Sequence, residues 1–136
     1  MADKTRRVDY YYATVPDRPG EGKKVLSALK ESKVNLLAYL GFPSGNGKAQ
    51  LDLVPENAGA LKKAAEKAGI KLSESKKAFL IQGDDRPGAV ADAVAKLADA
   101  NVNVTAAAAT CAGDKYGLVI WVWPADYERA ARALGA

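Results

Sequence analysis

The chain has 136 residues, 49% of them hydrophobic and 26% charged, with a formal net charge of +4 and no histidine. The missing histidine excludes Ser-His-Asp and Cys-His arrangements and the commonest general base, and a single cysteine with scattered carboxylates makes a poor transition-metal ligand set. No stretch approaches the roughly 20 apolar residues of a membrane span, the polar start Met1 to Arg7 does not read as a signal peptide, and the lone Cys111 fits a reducing compartment, so a cytoplasmic protein is expected.

An internal repeat organises the rest. Asp17-Arg18-Pro19-Gly20 recurs 68 residues later as Asp85-Arg86-Pro87-Gly88, and the same shift carries Val34-Asn35 onto Val102-Asn103. It also places Val25, Leu26 and Leu29 on Ala93, Val94 and Leu97, while Leu61, Ala64, Ala65 and Ala68 map onto Tyr127, Ala130, Ala131 and Leu134 with a slightly different shift. Two repeats are therefore expected, residues 1–75 and 76–136.

In chain order, Val8 to Val15 is a β-rich run and a first strand. Pro19-Gly20 then opens a helix, with proline where its missing N–H does no harm, and Val25, Leu26 and Leu29 share one helical face. A strand near Val34 to Phe42, the turn Ser44-Gly45-Asn46-Gly47 and a strand Ala49 to Val54 follow, ended by Pro55. A second helix reaches Ala68, and Ile70-Lys71-Leu72 supplies a fourth strand.

The second repeat reads likewise: a strand Lys77 to Gly83, a helix with Val90, Ala93, Val94 and Leu97 on one face, and a strand Val102 to Thr110. The turn Ala112-Gly113-Asp114-Lys115, a strand Tyr116 to Trp123 ended by Pro124, and a helix to Leu134 complete it. The fold class is α+β: tandem ferredoxin-like βαββαβ sandwiches, each an antiparallel sheet with helices on one face. The second repeat lacks its last strand, and its open sheet edge invites pairing. The linker around Leu72 to Ser75, the N-terminal segment or a second molecule is expected to fill it.

Alternation divides the third strands into two faces. Leu51, Leu53, Ile120 and Val122 point toward helices; Gln50, Asp52, Val119, Trp121 and Trp123 point away, as do Tyr10 and Tyr12. Two tryptophans on a solvent face would form a patch that monomers rarely tolerate, so sheet packing, a homo-oligomer interface or an aromatic ligand wall is expected there. The alanine-rich run Thr105 to Thr110 is a weak strand former and points to tight space, against helices or against a ligand or backbone.

The basic excess lies in the first repeat, with 13 Lys/Arg against 9 Asp/Glu through Ser75 and 7 of each afterwards. Lys23, Lys24, Lys30, Lys62, Lys63 and Lys67 fall between apolar positions of helical patterns, where solvated charge belongs. The distinctive feature is Asp-Arg-Pro-Gly at a strand-to-helix junction. First-turn N–H groups carry partial positive charge, and Gly20 or Gly88 leaves the backbone open, so the junction reads either as a helix-opening turn or as a seat for a carboxylate. Asn35 and Asn103 offer a donor and an acceptor for an amino acid head group, or end the helix in a left-handed conformation. Arg18 and Arg86 reach a ligand carboxylate or pair with Asp17 and Asp85.

The element order, the Asp-Arg-Pro-Gly after the first strand and the Val-Asn after the first helix resemble ACT domains, twice over, across about residues 8 to 134. The resemblance implies a regulatory module that pairs side by side and binds amino acids at the seam. Asp17, Arg18, Pro19 and Gly20, with Asp85, Arg86, Pro87 and Gly88, would then supply loop contacts, and Asn35 and Asn103 the polar head's partners. It implies an amino acid or similar small carboxylate as ligand, no cofactor, a homo-oligomer, and an enzyme regulated in trans, since no catalytic domain accompanies the pair. A ligand-independent oligomerisation module is the alternative. An RNA-recognition module shares the element order, but Tyr10 and Tyr12 lie in a different repeat from Trp121 and Trp123, which argues against nucleic acid. No nucleophile–base pair argues for an enzyme.

Overall fold

In the computed structural model, which describes residues 3–136, six strands and four helices build an α+β fold of the ferredoxin-like kind. Met1 and Ala2, at the polar start of the chain, lie outside the described residues. The elements run β1 (Lys4–Pro16), α1 (Glu21–Glu31), β2 (Leu36–Gly45), β3 (Lys48–Pro55) and α2 (Ala58–Ala68). They continue as β4 (Lys76–Asp84), α3 (Ala89–Asp99), β5 (Val104–Ala112), β6 (Lys115–Val122), a 3-10 turn at Pro124–Asp126 and α4 (Tyr127–Leu134). Two compact units result: Asp9–Lys76, and the described residues up to Val8 together with Lys77–Ala136.

The first of these, Asp9–Lys76, holds the strand order β2–β3–β1. β3 is antiparallel to both neighbours, with Leu53 opposite Tyr11 on β1 and opposite Tyr39 on β2. Tyr11, Leu51 and Leu53 turn toward Val25 and Leu29 of α1 and Leu61 and Ala64 of α2, forming the core. Leu53 and Leu61 are fully buried, each stabilising the fold by about 1.5–3 kcal/mol. Asn57 caps α2 by accepting the Ala60 N–H at 2.9 Å, and left-handed Gly69 ends it. Ile70-Lys71-Leu72, expected as a fourth strand, is not a regular strand. Ile70 and Leu72 pack against the core instead, and Ser73 donates its N–H to the Tyr12 carbonyl at 2.8 Å.

The second unit has the order β1–β4–β6–β5, which β1 enters through its N-terminal residues. The edge left open by the missing last strand is thus taken by the N-terminal segment. A strand of 13 residues serves one unit with its end and the other with its beginning. β6 pairs antiparallel with β4 and β5, with Phe79 opposite Ile120 and Ala107 opposite Ile120. The core gathers Phe79, Ile81, Leu118 and Ile120 from the sheet, Ala93 and Leu97 from α3, and Tyr127 and Leu134 from α4. The Phe79 and Tyr127 rings stack at 4.5 Å, and the Tyr127 hydroxyl donates to the Ala78 carbonyl at 3.1 Å.

Three expectations need correction. α3 buries Ala93 and Leu97 as expected, but with Ala89 beside them, whereas Val90 and Val94 are exposed: the inward stripe packed against the sheet is rotated onto the smaller residues. The alanine-rich strand β5 sits at the end of its strand order and is mostly exposed, so its small side chains are not closely packed under the helices of its unit. Trp123 lies past the end of β6 and is 60% exposed, while Trp121 is buried; no paired tryptophan patch forms. Asp52 is also buried, accepting from Gln50 at 2.8 Å, and burial pushes its carboxyl above the usual carboxylate range.

Candidate functional site

The two Asp-Arg-Pro-Gly loops fold alike. Each is anchored to the neighbouring hairpin turn: the Asp17 N–H donates to the Gly47 carbonyl at 2.9 Å, and the Asp85 N–H to the Asp114 carbonyl at 2.8 Å. Each ends on a left-handed glycine at the N-cap, Gly20 with φ 88° and Gly88 with φ 83°. No side chain caps either first helical turn. A Cβ on either glycine would meet nothing within 4 Å, so these glycines answer a backbone demand, and the space above them is open. The result is two helix starts without a side-chain cap, each beside an arginine; their first N–H groups turn back on the loop, Glu21 to the Arg18 carbonyl and Ala89 to the Arg86 carbonyl, both at 3.3 Å.

The arginines do not pair with Asp17 and Asp85. Arg18 reaches Glu21 at 3.5 Å, a weak exposed contact. Arg86 instead holds the carboxylate of Asp3, both guanidinium nitrogens donating, at 3.1 and 3.0 Å, in the bidentate geometry that favours arginine. The Tyr116 hydroxyl donates to the same carboxylate at 2.7 Å. Arg86 also lies 5.9 Å above the Tyr116 ring and reaches Asp92 at 3.4 Å. The hydrogen bond from Arg86, then that from Tyr116, holds the Asp3 carboxyl below its usual range. Burial, then the bond to Asp3, pushes the Tyr116 phenol up to about 12. Nearby, Lys115 pairs closely with Asp84.

A cleft of about 630 Å³ opens at this point, bounded by Asp3, Thr5, Arg86, Asp92 and Lys96 over a floor that includes Ile81 and Leu134. In the unit Asp9–Lys76 the equivalent loop borders a cleft of about 350 Å³, where Asp17, Arg18 and Gly22 meet Tyr39, Phe42 and Pro43. Gly41 lets the Tyr39 hydroxyl swing across it, 3.2 Å from where a Cβ would stand.

Asn35 sits elsewhere. It precedes β2, lines a separate groove of about 480 Å³ with Leu26, Lys30 and Lys33, and donates its side-chain N–H to Glu56 at 3.2 Å. Its carbonyl accepts the Glu56 N–H at 2.9 Å. The helix-ending left-handed residues are Lys33 and Asn101, not Asn35 and Asn103. Since α1 and α3 have 11 residues each, about 16 Å separates each loop from the asparagine of its own repeat. Asn103 is exposed beyond the end of α3. Within one repeat, then, loop and asparagine do not converge.

Asp3, Tyr116 and Gly83 escape sequence reasoning. A Cβ on Gly83 would collide with the Asp3 carboxylate, so this strand glycine marks a close approach. A glycine inside a β-rich run was the one available signal. Among the described residues no group of three or more His, Cys, Asp or Glu could hold a metal, and no helix is long and apolar enough to cross a membrane.

No family model matches the chain, and no curated protein matches its sequence. Solved structures do match in fold. A protein from Bacteroides thetaiotaomicron aligns with TM-score 0.82 at 15% identity, over 96% of this chain and 88% of its own. The ligand-free regulatory subunit of aspartate kinase from Thermus thermophilus aligns with TM-score 0.68 at 20% identity, over 99% and 95%. The regulatory subunit of aspartate kinase from Thermus flavus gives TM-score 0.59 at 21% identity, over 98% and 94%.

Proposed function

We propose that this chain is a non-catalytic regulatory protein whose ACT-like units bind an amino acid or similar small carboxylate at the Asp-Arg-Pro-Gly loops and act on a partner enzyme in trans. One observation carries the reading: both loops present a helix start without a side-chain cap, behind a left-handed glycine that has open space above it, beside an arginine. Such a start attracts anions through its N–H groups and its dipole. The likeness in fold to two regulatory subunits agrees with it. In this reading Asn35 and Asn103 serve the ligand only where the helix end of one unit meets the loop of another, across a homo-oligomeric seam, because each is a helix length from its own loop. An intracellular setting fits the single exposed cysteine.

The test is a thermal-shift screen of the full chain against the amino acids one by one. A ligand at 100 times its dissociation constant adds about 2.7 kcal/mol, which at this size raises Tm by several degrees. A shift confined to one or two amino acids and lost in Arg18→Gln or Arg86→Gln supports the reading. A flat screen together with a constitutive dimer sinks it in favour of the second reading, an oligomerisation module. What favours that alternative is the exposed apolar surface at the edges: Tyr39 and Phe42 on β2, and Trp123 beyond β6.

A further inference from the structure

We propose that Arg86, Tyr116 and Gly83 form a carboxylate seat that Asp3 fills in cis, and that an external small carboxylate takes it when Asp3 leaves. The proposal rests on the reading of the Asp85–Gly88 loop as a ligand loop and adds how that loop is controlled.

Three independent features build the seat. The guanidinium of Arg86 presents a two-pronged donor at 3.0 and 3.1 Å, matched to a planar carboxylate rather than to a point charge. The Tyr116 side chain is buried and aims its hydroxyl at the same group at 2.7 Å, which makes a third donor in a sheltered position. Gly83 provides the room, because a Cβ there would occupy the place of the carboxylate. The seat opens on the cleft of about 630 Å³, where Lys96 adds positive charge and Asp92 offers an acceptor to an ammonium group. Asp3 is held below the usual carboxylate range, as a group inside an anion site should be.

The occupant is tethered: Asp3 immediately precedes β1, whose first residues pair with β4. A tethered group competes as if present at millimolar concentration or above, so a free carboxylate meets a seat already taken. Its apparent affinity falls by the fraction of time the seat stands empty. Displacement of Asp3 also removes the clamp on the N-terminal end of β1, which then relies on its strand pairing and on contacts such as the Arg7–Glu128 pair at 2.9 Å. Ligand entry and the closure of this sheet edge are thereby coupled.

The experiment uses acetate, which carries the functional group of Asp3, against chloride at equal ionic strength, with the full chain. Asp3→Ala should melt below the wild type and exchange the amides of residues 4–8 faster. Acetate, and not chloride, should reverse both changes. The wild type should need at least about tenfold more acetate for any response. Asp3→Ala combined with Arg86→Gln should not respond, and Gly83→Ala, which expels Asp3 and fills its place, should resemble Asp3→Ala in exchange but ignore acetate. An Asp3→Ala protein indifferent to acetate, or a response that persists with Arg86→Gln, overturns the proposal. Amino acid binding that Asp3→Ala leaves unchanged overturns it while sparing the proposed function. Acetate rescue beside a flat amino acid screen upholds the seat and removes the amino acid reading.

Discussion

Ser73 and Tyr12 hold each other twice: the Ser73 N–H donates to the Tyr12 carbonyl at 2.8 Å, and the Tyr12 N–H donates to the Ser73 hydroxyl oxygen at 2.9 Å. A side chain thus takes the place of a backbone acceptor where a fourth strand was expected. Ser73→Ala should cost about 1 kcal/mol by leaving the Tyr12 N–H without that acceptor. Denaturant unfolding would read the loss, and hydrogen exchange at Tyr12 would localise it. Unchanged protection at Tyr12 would mean that this contact does not hold the edge.

The stacked pair Phe79 and Tyr127 ties β4 to α4 in the core of the second unit. Phe79→Ala should destabilise by about 3–5 kcal/mol, the range for emptying a fully buried aromatic site. Tyr127→Phe keeps the ring and gives up the hydroxyl bond to Ala78, about 1 kcal/mol. Equal losses in urea titrations of the two variants would contradict this division.

Two carboxylates should bend the acid limb of stability in opposite directions. Asp3 is depressed below its ordinary value of 3.8 by Arg86, so its contribution is complete above that value and is lost as the pH falls through the folded pKa. Asp52 is raised by burial, so its ionised form weakens the fold at neutral pH, and that penalty disappears as the pH falls through its raised value toward 3.8. Asp3→Asn should therefore be less stable than the wild type at neutral pH and converge with it in acid. Asp52→Asn, whose amide oxygen still accepts from Gln50, should be more stable at neutral pH and also converge. Stability curves against pH check both signs.

Gly20 and Gly88 stand at φ 88° and 83° in open space, so any penalty for adding a side chain comes from the backbone. Alanine at either site should lower stability by about 1–2 kcal/mol, and asparagine, which tolerates this conformation, by less. Ligand affinity per folded molecule should change little with alanine and fall with bulkier residues. If alanine is neutral in stability, the left-handed turn is not what selects glycine there.

Much of the fold was legible because it is written in local periodicity. The repeat of Asp-Arg-Pro-Gly, the strand alternation of Leu51 and Leu53, and the helical spacing of Leu61, Ala64 and Ala65 each report a neighbour a few residues away. The same local logic held at Ala93 and Leu97 of α3 but failed at Val90 and Val94, the more apolar residues, which are exposed while Ala89 faces the core. Apolar spacing gives a helical stripe but not the rotation of the helix about its axis, which packing against the sheet decides.

By itself, the sequence determined the α+β class, the order of the elements and the two glycine-ended loops, because dihedral preference and side-chain alternation act within a few residues. Only the tertiary structure decided what closes each sheet edge and which carboxylate meets Arg86. Strand pairing runs through backbone N–H and C=O groups that are alike in every residue but proline, so no side chain announces that residues 4–8 belong beside β4. The Asp3–Arg86 pair spans 83 residues of chain, and a charge attracts through space whatever the sequence distance.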